Sequence, residues 1–551
     1  MKSMSAVART DSLRSGLIYE PRELAFGTSG RRGKVVDLTQ LEVYLNALAE
    51  LEYLQSLAVS AGGIVRGEEF FFARDLRPSS YRFVPEQEGR GEIAQAIVAA
   101  IQDAGMRAIN LGSIPTPALA CYALARGKGS MMVTGSHIPF DRNGYKTYTS
   151  QGELLKQHEE PIHEQVRKVR QRLYEQNRDQ SPFDQRGCFR TGHRDLPAEH
   201  PEARLTWIGR FTSFFRGASL GGKRLLVYQH SAVGRDLLVE VLERMDAEVI
   251  AAGRSETFVP IDTENIGAPQ LAAIQALADE ATAKHGPLDA VVSTDGDSDR
   301  PLILGLDPAT GQAHFFGGDL VGMVVAEYLQ ADAVVVPITC NDAVDRGNLA
   351  SAVEPKTRIG SPFVIAGMEA ARSKGKKRIC GWEPNGGFLT GSDFERNGLV
   401  LSALLTRDAI LPILGVLFAA AESGLTLIDR FARLPKRFSR AALLEQFPRA
   451  LGLKIVASFS PGVADPRERL AKFFTPRMGF GAITRVDCTD GVRVLFDNGD
   501  VAHVRPSGNA DELRIYAVAD TQVRADAIVA MGVAEPDGIL RCLQCAVAPN
   551  A

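Results

Sequence analysis

Three stretches of this chain hold residue types that could do chemistry together. VTGSHIPFDRNGYK, residues 133–146, sets Ser136 beside His137, with Arg142 and Lys146 following, and reads as one loop after the short strand SMMVT. A serine is a weak nucleophile unless something activates it. DGDSDR, residues 295–300, alternates Asp295, Asp297 and Asp299 with small residues. Alternate positions on an extended segment share one side, so three carboxylates can converge there, and they repel unless a cation sits among them. Mg2+ suits such hard oxygen ligands and bridges to phosphate. A calcium loop is the rival reading, but it needs further ligands and a bidentate Glu where this chain continues as the apolar strand PLILGL. VRPSGNADELRIY, residues 504–516, places Arg505, Ser507, Gly508 and Asn509 in a loop before a strand containing Arg514. Cation, hydroxyl and exposed N–H groups together make a phosphate cradle.

Two further stretches are less specific. AFGTSGRRGK, residues 25–34, surrounds Arg31 and Arg32 with glycines and small hydroxyl residues, which suits either an anion or a solvated basic turn. EPNGGF, residues 383–388, flanks Glu383 and Asn385 with glycines. The pair can hydrogen-bond vicinal hydroxyls, or the segment can be a plain Pro-Asn-Gly-Gly turn.

The surrounding pattern indicates what must position these loops. Residues 39–58 read as a helix with Leu41, Tyr44, Leu45 and Leu48 on one face. A strand at 69–73 ends in RDLRPSS; an amphipathic helix at 92–105 closes on Gly105; the strand MRAINLG and a helix entered at IPTPAL follow. Strand–helix alternation is the grammar of an α/β domain, whose ligands sit on loops at strand C-terminal ends. A charged helix spans about 152–178, and the polar, proline-containing stretch 177–202 reads as a linker or surface excursion. Residues 222–253 form a second strand, loop, helix, strand unit, and a helix at 268–285 leads to LDAVVST and the aspartate run. A third unit starts at GGDLVGMVVAEYL (317–329), continues through a helix after Asn341 and a loop-then-helix at 356–371, and reaches the strand KRICGW. AILPILGVLFAAAESG (409–424) is too short to span a bilayer comfortably and reads as a buried helix. The expected fold class is α/β: three similar mixed α/β domains plus a smaller α+β C-terminal domain. The expected bounds are 1–200, 201–305, 306–434 and 435–551.

A chain of 551 residues calls for several domains. Its 45% hydrophobic and 23% charged residues fit a globular protein, and its net charge of −3 gives no global basic field for nucleic acid or an anionic membrane. The N-terminal MKSMSAVARTDSLRSG lacks the apolar core of a signal peptide. Seven cysteines fall in no recurring metal spacing, and the single CxxC at Cys542 and Cys545 reads as incidental. Reduced thiols and a cytoplasmic location are expected, with the chain a monomer or homodimer.

Together the loops resemble those of the α-D-phosphohexomutase family, which includes phosphomannomutases, phosphoglucomutases and phosphoglucosamine mutases. TGSHIP resembles the phosphoserine loop, DGDSDR the metal loop, EPNGG the sugar-recognition loop and RPSGNADELRIY the phosphate-binding loop, with GTSGRRG, DLRPSS and IPTPAL as further matches. The resemblance covers nearly the whole chain and implies four domains around a central cleft, one loop from each. It implies that Ser136 carries a phosphoryl group and that Mg2+ is held by Asp295, Asp297, Asp299 and the phosphoserine. Lys146 would be the general acid/base, and Arg32, His137 and Arg300 would line the reaction centre. Glu383 and Asn385 would read sugar hydroxyls, and Arg505, Ser507, Gly508 and Asn509 would hold the phosphate that is not reacting. The substrate would be a hexose phosphate, mannose phosphate before glucose or glucosamine phosphate, with a hexose 1,6-bisphosphate as intermediate and activator. The departures are specific: Ile138 where the family has asparagine, Asn385 for serine, Gly387 for a frequent histidine, and Asn-Ala-Asp for Thr-Glu-Pro in the phosphate loop. A metal-dependent phosphatase and a non-catalytic sugar-phosphate binding protein are the competing readings.

Overall fold

The run EFFFAR at 69–74 is apolar at consecutive rather than alternate positions, as a strand covered on both faces requires. It is an inner strand of the first sheet in a computed structural model that describes residues 11–27, 30–264, 266–459, 465–507 and 511–547. The chain divides into two compact units, residues 1–315 with 395–413, and residues 316–394 with 414–551.

The first unit holds two five-stranded sheets of one design. In the first, the order is 31–34, 142–148, 130–133, 69–74, 107–113. Strands 130–133, 69–74 and 107–113 run parallel, and 142–148 and 31–34 continue the sheet antiparallel. The second sheet repeats this as 313–315, 301–306, 290–294, 224–230, 248–254, again antiparallel at the first edge and parallel at the other. In each, one short loop, 134–141 and 295–300 respectively, joins the last parallel strand to its antiparallel neighbour. That loop holds Ser136 in the first sheet and Asp295–Asp299 in the second. The second unit uses the same slot: strand 379–382, parallel to 333–335, turns through 383–387 into antiparallel 388–390. It then ends in an antiparallel sheet of order 438–444, 513–519, 501–506, 492–496, 483–487, covered by helices Arg449–Phe459 and Gln522–Val533. The mixed α/β class expected from the sequence is the one observed.

Helix Gln40–Ser56 is N-capped by Thr39, whose hydroxyl accepts from Glu42 N, and its buried residues form one core with Phe70, Phe72, Met131, Val133 and Tyr145. Helix Ala268–His285 has the expected bounds, and Ile410–Glu422 is a helix at the apolar 409–424 run. No helix among the described residues is long and apolar enough to cross a membrane.

Four expectations need correction. The charged helix is shorter, Glu159–Tyr174, and the residues after Asn341 form only short 3-10 turns, Asp342–Asp345 and Gly347–Leu349. Gly347, at φ +79°, breaks any continuous helix there. The stretch 177–202 contains no strand and no helix before Glu202, yet it is no free linker. Phe183 is fully buried in the first core, Gln95 Nε2 donates to Gly192 O at 2.9 Å, and Asn110 Nδ2 donates to Pro197 O at 2.7 Å. The N-terminal segment, which reads as a ragged leader, is tied down from residue 11: Leu13 is buried and its N–H donates to Gln176 O at 2.8 Å. Residues 1–10 lie outside the described residues.

Candidate active site

Ser136 occupies the turn after strand 130–133 with φ +53°, a left-handed conformation that is costly for a residue with a Cβ. Its surroundings hold it there. Its N–H donates to Thr134 Oγ1 at 2.7 Å, and Arg77 threads the turn from behind. The Arg77 guanidinium donates to the carbonyls of Ser136 (2.9 Å), Pro139 (2.8 Å), Arg142 (3.0 Å) and Ile138. Asp75 accepts from Ser80 Oγ at 2.7 Å and Gly135 N at 3.2 Å, and lies beside Arg77. Burial pushes the Arg77 guanidinium down to about 10, against the pull of Asp75. A side chain at Gly135 would collide with this guanidinium, so that position has no room for a Cβ.

The serine hydroxyl donates to Asp295 Oδ2 at 2.7 Å, whereas His137 Nδ1 is 3.4 Å away. Arg300 and burial together push the His137 imidazole down to about 2, so the ring is neutral at physiological pH. A serine whose proton rests on a carboxylate, beside a neutral histidine, is not arranged as a hydrolase triad.

Asp295, Asp297 and Asp299 do converge, with an oxygen from each within 4.8 Å of the others, and all three are buried. They converge on a tight turn and not along an extended segment. Asp295 N donates to Arg300 O at 3.0 Å, Ser298 adopts φ +57°, and Asp295 Oδ1 accepts from the N–H groups of Asp299 and Arg300. The hairpin wraps around the first aspartate, which brings the other two back toward it.

The charges here are unevenly balanced. Burial, then the neighbouring charges of Asp297 and Asp299, raise the Asp295 carboxyl well above the usual range. Burial also pushes Asp297 upward, but the Lys146 ammonium and the Thr116 hydroxyl outweigh it and hold that carboxyl low. Asp299 ends low as well, because Arg407, Lys146 and Arg300 outweigh its burial and its neighbour Asp297. Lys146 Nζ donates to Asp297 Oδ2 at 2.8 Å and Asp299 Oδ2 at 2.7 Å. Thr116 Oγ1 donates to Asp297 Oδ2 at 2.6 Å, and Arg407 Nε to Asp299 Oδ2 at 3.1 Å. The second oxygens, Asp297 Oδ1 and Asp299 Oδ1, are buried without a hydrogen bond, Asp299 Oδ1 facing the Arg300 guanidinium at 3.5 Å. Leaving buried carboxylate oxygens unpartnered is costly. Two such oxygens beside Asp295, all hard anionic donors, fit a divalent cation such as Mg2+.

Lys146 itself is not on a loop. It lies on strand Arg142–Tyr148, paired with Met132, and every residue of that strand after Arg142 is buried, so both of its faces are covered. Arg142 begins that strand. Arg32, on strand 31–34, is half-buried with its guanidinium donating to Arg31 O at 2.9 Å, and burial lowers its pKa despite Asp297 and Asp75 nearby. Arg300 Nε is buried, 3.5 Å from Asp299 Oδ1. Thus Ser136, His137, Lys146, Arg32, Arg300 and the three aspartates belong to one unit. Thr28 and Ser29 of the glycine-rich loop lie outside the described residues.

The remaining candidates belong to the second unit. Asn385 Oδ1 accepts from Gly387 N at 2.9 Å and Gly386 N donates to Glu383 O at 2.9 Å, closing a turn packed against the start of helix Gly318–Tyr328. A Cβ at Gly318 would strike the backbone of Pro384 and Gly386. Arg505 sits on strand Val501–Pro506, not in a loop, and its Nε donates to Asp490 Oδ1 at 3.0 Å. Ser507 follows directly, its N–H on Glu512 O; Gly508 and Asn509 lie outside the described residues.

Sequence reasoning noted DLRPSS and IPTPAL without giving Arg77 or Thr116 a role, and it missed Arg407 altogether. The stretch LLTRDA around Arg407 carries no motif; only the folded chain brings it to Asp299.

Matches to known proteins follow the same lines. The family models for phosphoglucomutase/phosphomannomutase match as alpha/beta/alpha domain I over residues 23–173, alpha/beta/alpha domain III over 317–438 and the C-terminal domain over 455–534. A phosphomannomutase from Sinorhizobium fredii (strain NBRC 101917 / NGR234) is 38% identical over 513 residues, covering 92% of this chain and 98% of the relative. The crystal structure of a phosphoglucomutase/phosphomannomutase family protein from Burkholderia thailandensis superposes with a TM-score of 0.64 at 17% identity, covering 95% of this chain and 98% of the other. An N-acetylphosphoglucosamine mutase from Aspergillus fumigatus, solved with GlcNAc-6P and magnesium, superposes with a TM-score of 0.52 at 16% identity, covering 89% and 85%. With its mixed α/β architecture, its buried serine–aspartate centre and a 38%-identical relative spanning nearly all of it, the chain belongs to the α-D-phosphohexomutase family and is a mutase, an isomerase of that family.

Proposed function

We propose that this protein interconverts the 1- and 6-phosphates of a hexose, mannose phosphate in the first place, through a phosphoserine at Ser136 and a hexose 1,6-bisphosphate. The observation that carries the reading is the 2.7 Å hydrogen bond from Ser136 Oγ to Asp295 inside a buried cluster of three carboxylates. A phosphoryl group on Ser136 passes to a free hydroxyl of the sugar monophosphate: the Oγ–P bond breaks, a sugar O–P bond forms, and the hydroxyl proton leaves. Lys146, as the neutral amine, is the candidate acceptor of that proton and returns it to the sugar oxygen when the second phosphoryl group leaves. After the bisphosphate reorients, its other phosphoryl group returns to Ser136. Asp295, Asp297, Asp299 and an oxygen on Ser136 would hold Mg2+, which when bound neutralises charge on the transferring group. Arg32, His137 and Arg300 would line the reaction centre, with His137 as a neutral hydrogen-bonding group.

In the second unit, Glu383 and Asn385 would read sugar hydroxyls while Arg505, Ser507, Gly508 and Asn509 hold the distal phosphate. Four domains bounded near 200, 305 and 434, arranged around a central cleft, would bring these loops to one substrate. Seven free cysteines agree with a cytoplasmic setting. The mannose preference follows the phosphomannomutase relative; glucose and glucosamine phosphates are the alternatives.

The test is turnover by Ser136→Ala together with mass measurement of the active wild-type protein. Abolished turnover and a phosphate on Ser136 are expected. An active enzyme that never carries phosphate on Ser136 would defeat the mechanism, and phosphate release at the turnover rate would mark a phosphatase. Rates with mannose, glucose and glucosamine 1-phosphates decide the substrate.

A further inference from the structure

Behind the reaction centre, on the core side of the first sheet, lies an ion pair that the chemistry above does not use. Arg31 and Glu50 are each about 1% exposed, and Arg31 Nε donates to Glu50 Oε1 at 2.5 Å. Replacing a buried pair of this kind with well-packed apolar residues is often neutral or stabilising, so such a pair is weak evidence of a contribution to stability. Its hydrogen bonds indicate another role. Thr147 Oγ1 donates to Glu50 Oε2 at 2.5 Å, and Tyr145 OH donates to Oε1 at 3.3 Å. Thr147 and Tyr145 are the two neighbours of Lys146. Strand residues alternate faces, so the strand that turns Lys146 toward Asp297 and Asp299 turns Tyr145 and Thr147 onto Glu50.

The adjoining edge strand is held in the same way. Arg31 stands opposite Tyr145 in register, and Arg32 opposite Gly144. A Cβ at Gly144 would collide with Arg31 O, so the two strands lie closer than a side chain would permit. Arg31 also donates to Leu24 O and stacks over Phe26, 4.0 Å from the ring centroid, fixing the approach to the glycine-rich turn. Arg32 in turn donates to Arg31 O and, at 3.4 Å, to Tyr145 O.

We infer that Glu50 is a positioning residue. From helix Gln40–Ser56 its carboxylate clamps the rear of two strands and thereby sets Lys146 and Arg32 at the front. The inference rests on the reading of Lys146 as proton partner. It concerns geometry, because Glu50 touches neither substrate nor metal ligands.

The experiment compares Glu50→Leu, the pair Arg31→Met/Glu50→Leu, and Thr147→Val in the full-length protein. Thermal unfolding and steady-state mutase kinetics are read with hexose 1-phosphate, Mg2+ and a trace of bisphosphate. The single Glu50→Leu strands a buried guanidinium and lowers the unfolding temperature. The paired replacement recovers that temperature, yet kcat stays roughly 10- to 100-fold down with KM within about twofold, the signature of a displaced reacting group. Thr147→Val, which leaves no charge unpaired, lowers kcat in the same direction by roughly 3- to 10-fold. Recovery of kcat along with stability in the paired variant, or wild-type kcat in Thr147→Val, overturns the inference and leaves Glu50 a structural residue. Should the paired variant not fold, Thr147→Val decides alone. Wild-type turnover in Lys146→Met would instead remove the role of Lys146, whatever the Glu50 variants do.

Discussion

Gly296, within the aspartate turn, abuts the serine turn, and adding one methyl group there tests how tightly the two must fit. A Cβ on Gly296 would lie 2.6 Å from Ser136 O and 3.0 Å from the Phe258 ring. Non-bonded carbon contacts settle near 3.5 Å, so the turns must part by about 0.9 Å. Neither side yields easily: Ser136 O is held by Arg77, and Phe258 lies flat under the same guanidinium at 3.7 Å. The 2.7 Å bond from Ser136 Oγ to Asp295 would open toward about 3.6 Å, beyond hydrogen-bond range. A displacement near 1 Å at a reacting centre costs about 100-fold in rate, or roughly 2.7 kcal/mol. Overpacking alone costs about 1–3 kcal/mol of stability. Gly296→Ala is therefore expected to lower kcat about 100-fold in a coupled mutase assay while the folded protein keeps its circular dichroism spectrum. Gly209→Ala is the control: it lies in helix Glu202–Phe214 with nothing within 4 Å of a Cβ, and should add up to about 1 kcal/mol of stability with unchanged kcat. Turnover of Gly296→Ala within twofold of wild type would refute the argument that the two turns must touch.

Other outcomes follow from single contacts. Thr116→Val removes the hydrogen bond that orients Asp297, and should raise the Mg2+ concentration for half-maximal activity by roughly 10- to 100-fold; an unchanged Mg2+ titration would count against it. Chelation should stop turnover and added Mg2+ restore it. His503 is buried beside Arg493 and its pKa is pushed down to about 4, so it is neutral in the native state and must charge as acid unfolds the protein. Its folded pKa lies below the unfolded value, so its effect is absent above about pH 6.5. Stability then falls by about 1.4 kcal/mol per pH unit down to about pH 4, where the loss levels off near 3 kcal/mol. His503→Gln should flatten that slope in urea titrations between pH 7 and 4, and an unaltered slope would exclude His503 as its source. Asp490→Ala frees Arg505 from its partner and should raise KM for the sugar phosphate about tenfold more than it lowers kcat, measured by steady-state kinetics.

What could be read from the sequence was what is contiguous in it. DGDSDR and TGSHIP each hold, within six residues, side chains that the fold brings together, and helix 268–285 carries its own start and stop, so both kinds of feature are legible. Lys146 reads as a loop residue because its motif begins with one; its strand pairing with Met132 has no local signature. The alternation of the aspartates reads as an extended segment, but hydrogen bonds from Asp299 N and Arg300 N to Asp295 fold them into a turn. Arg77, Thr116 and Arg407 reach the centre from separate segments, and no spacing rule connects Arg407 to Asp299 across more than a hundred residues. The stretch 177–202 reads as detachable because it is polar; its attachment rests on long-range contacts, among them buried Phe183, Phe189 N on Gln40 Oε1, His193 on Glu92, and the Gly192 and Pro197 carbonyls.

The recurring hairpin slot has a consequence for how such a protein can change. The serine, the aspartates and the Glu383 turn each occupy the same position in a sheet of their own. Ser136, Thr116 and Lys146 all donate to the aspartates, so the first two turns are tied together, while the Glu383 turn is closed by its own strands in the other unit. A substitution at Asn385 or Gly387 alters one turn without shifting the register that aligns Ser136 or Asp295. The EPNGG turn can therefore be replaced while DGDSDR stays intact.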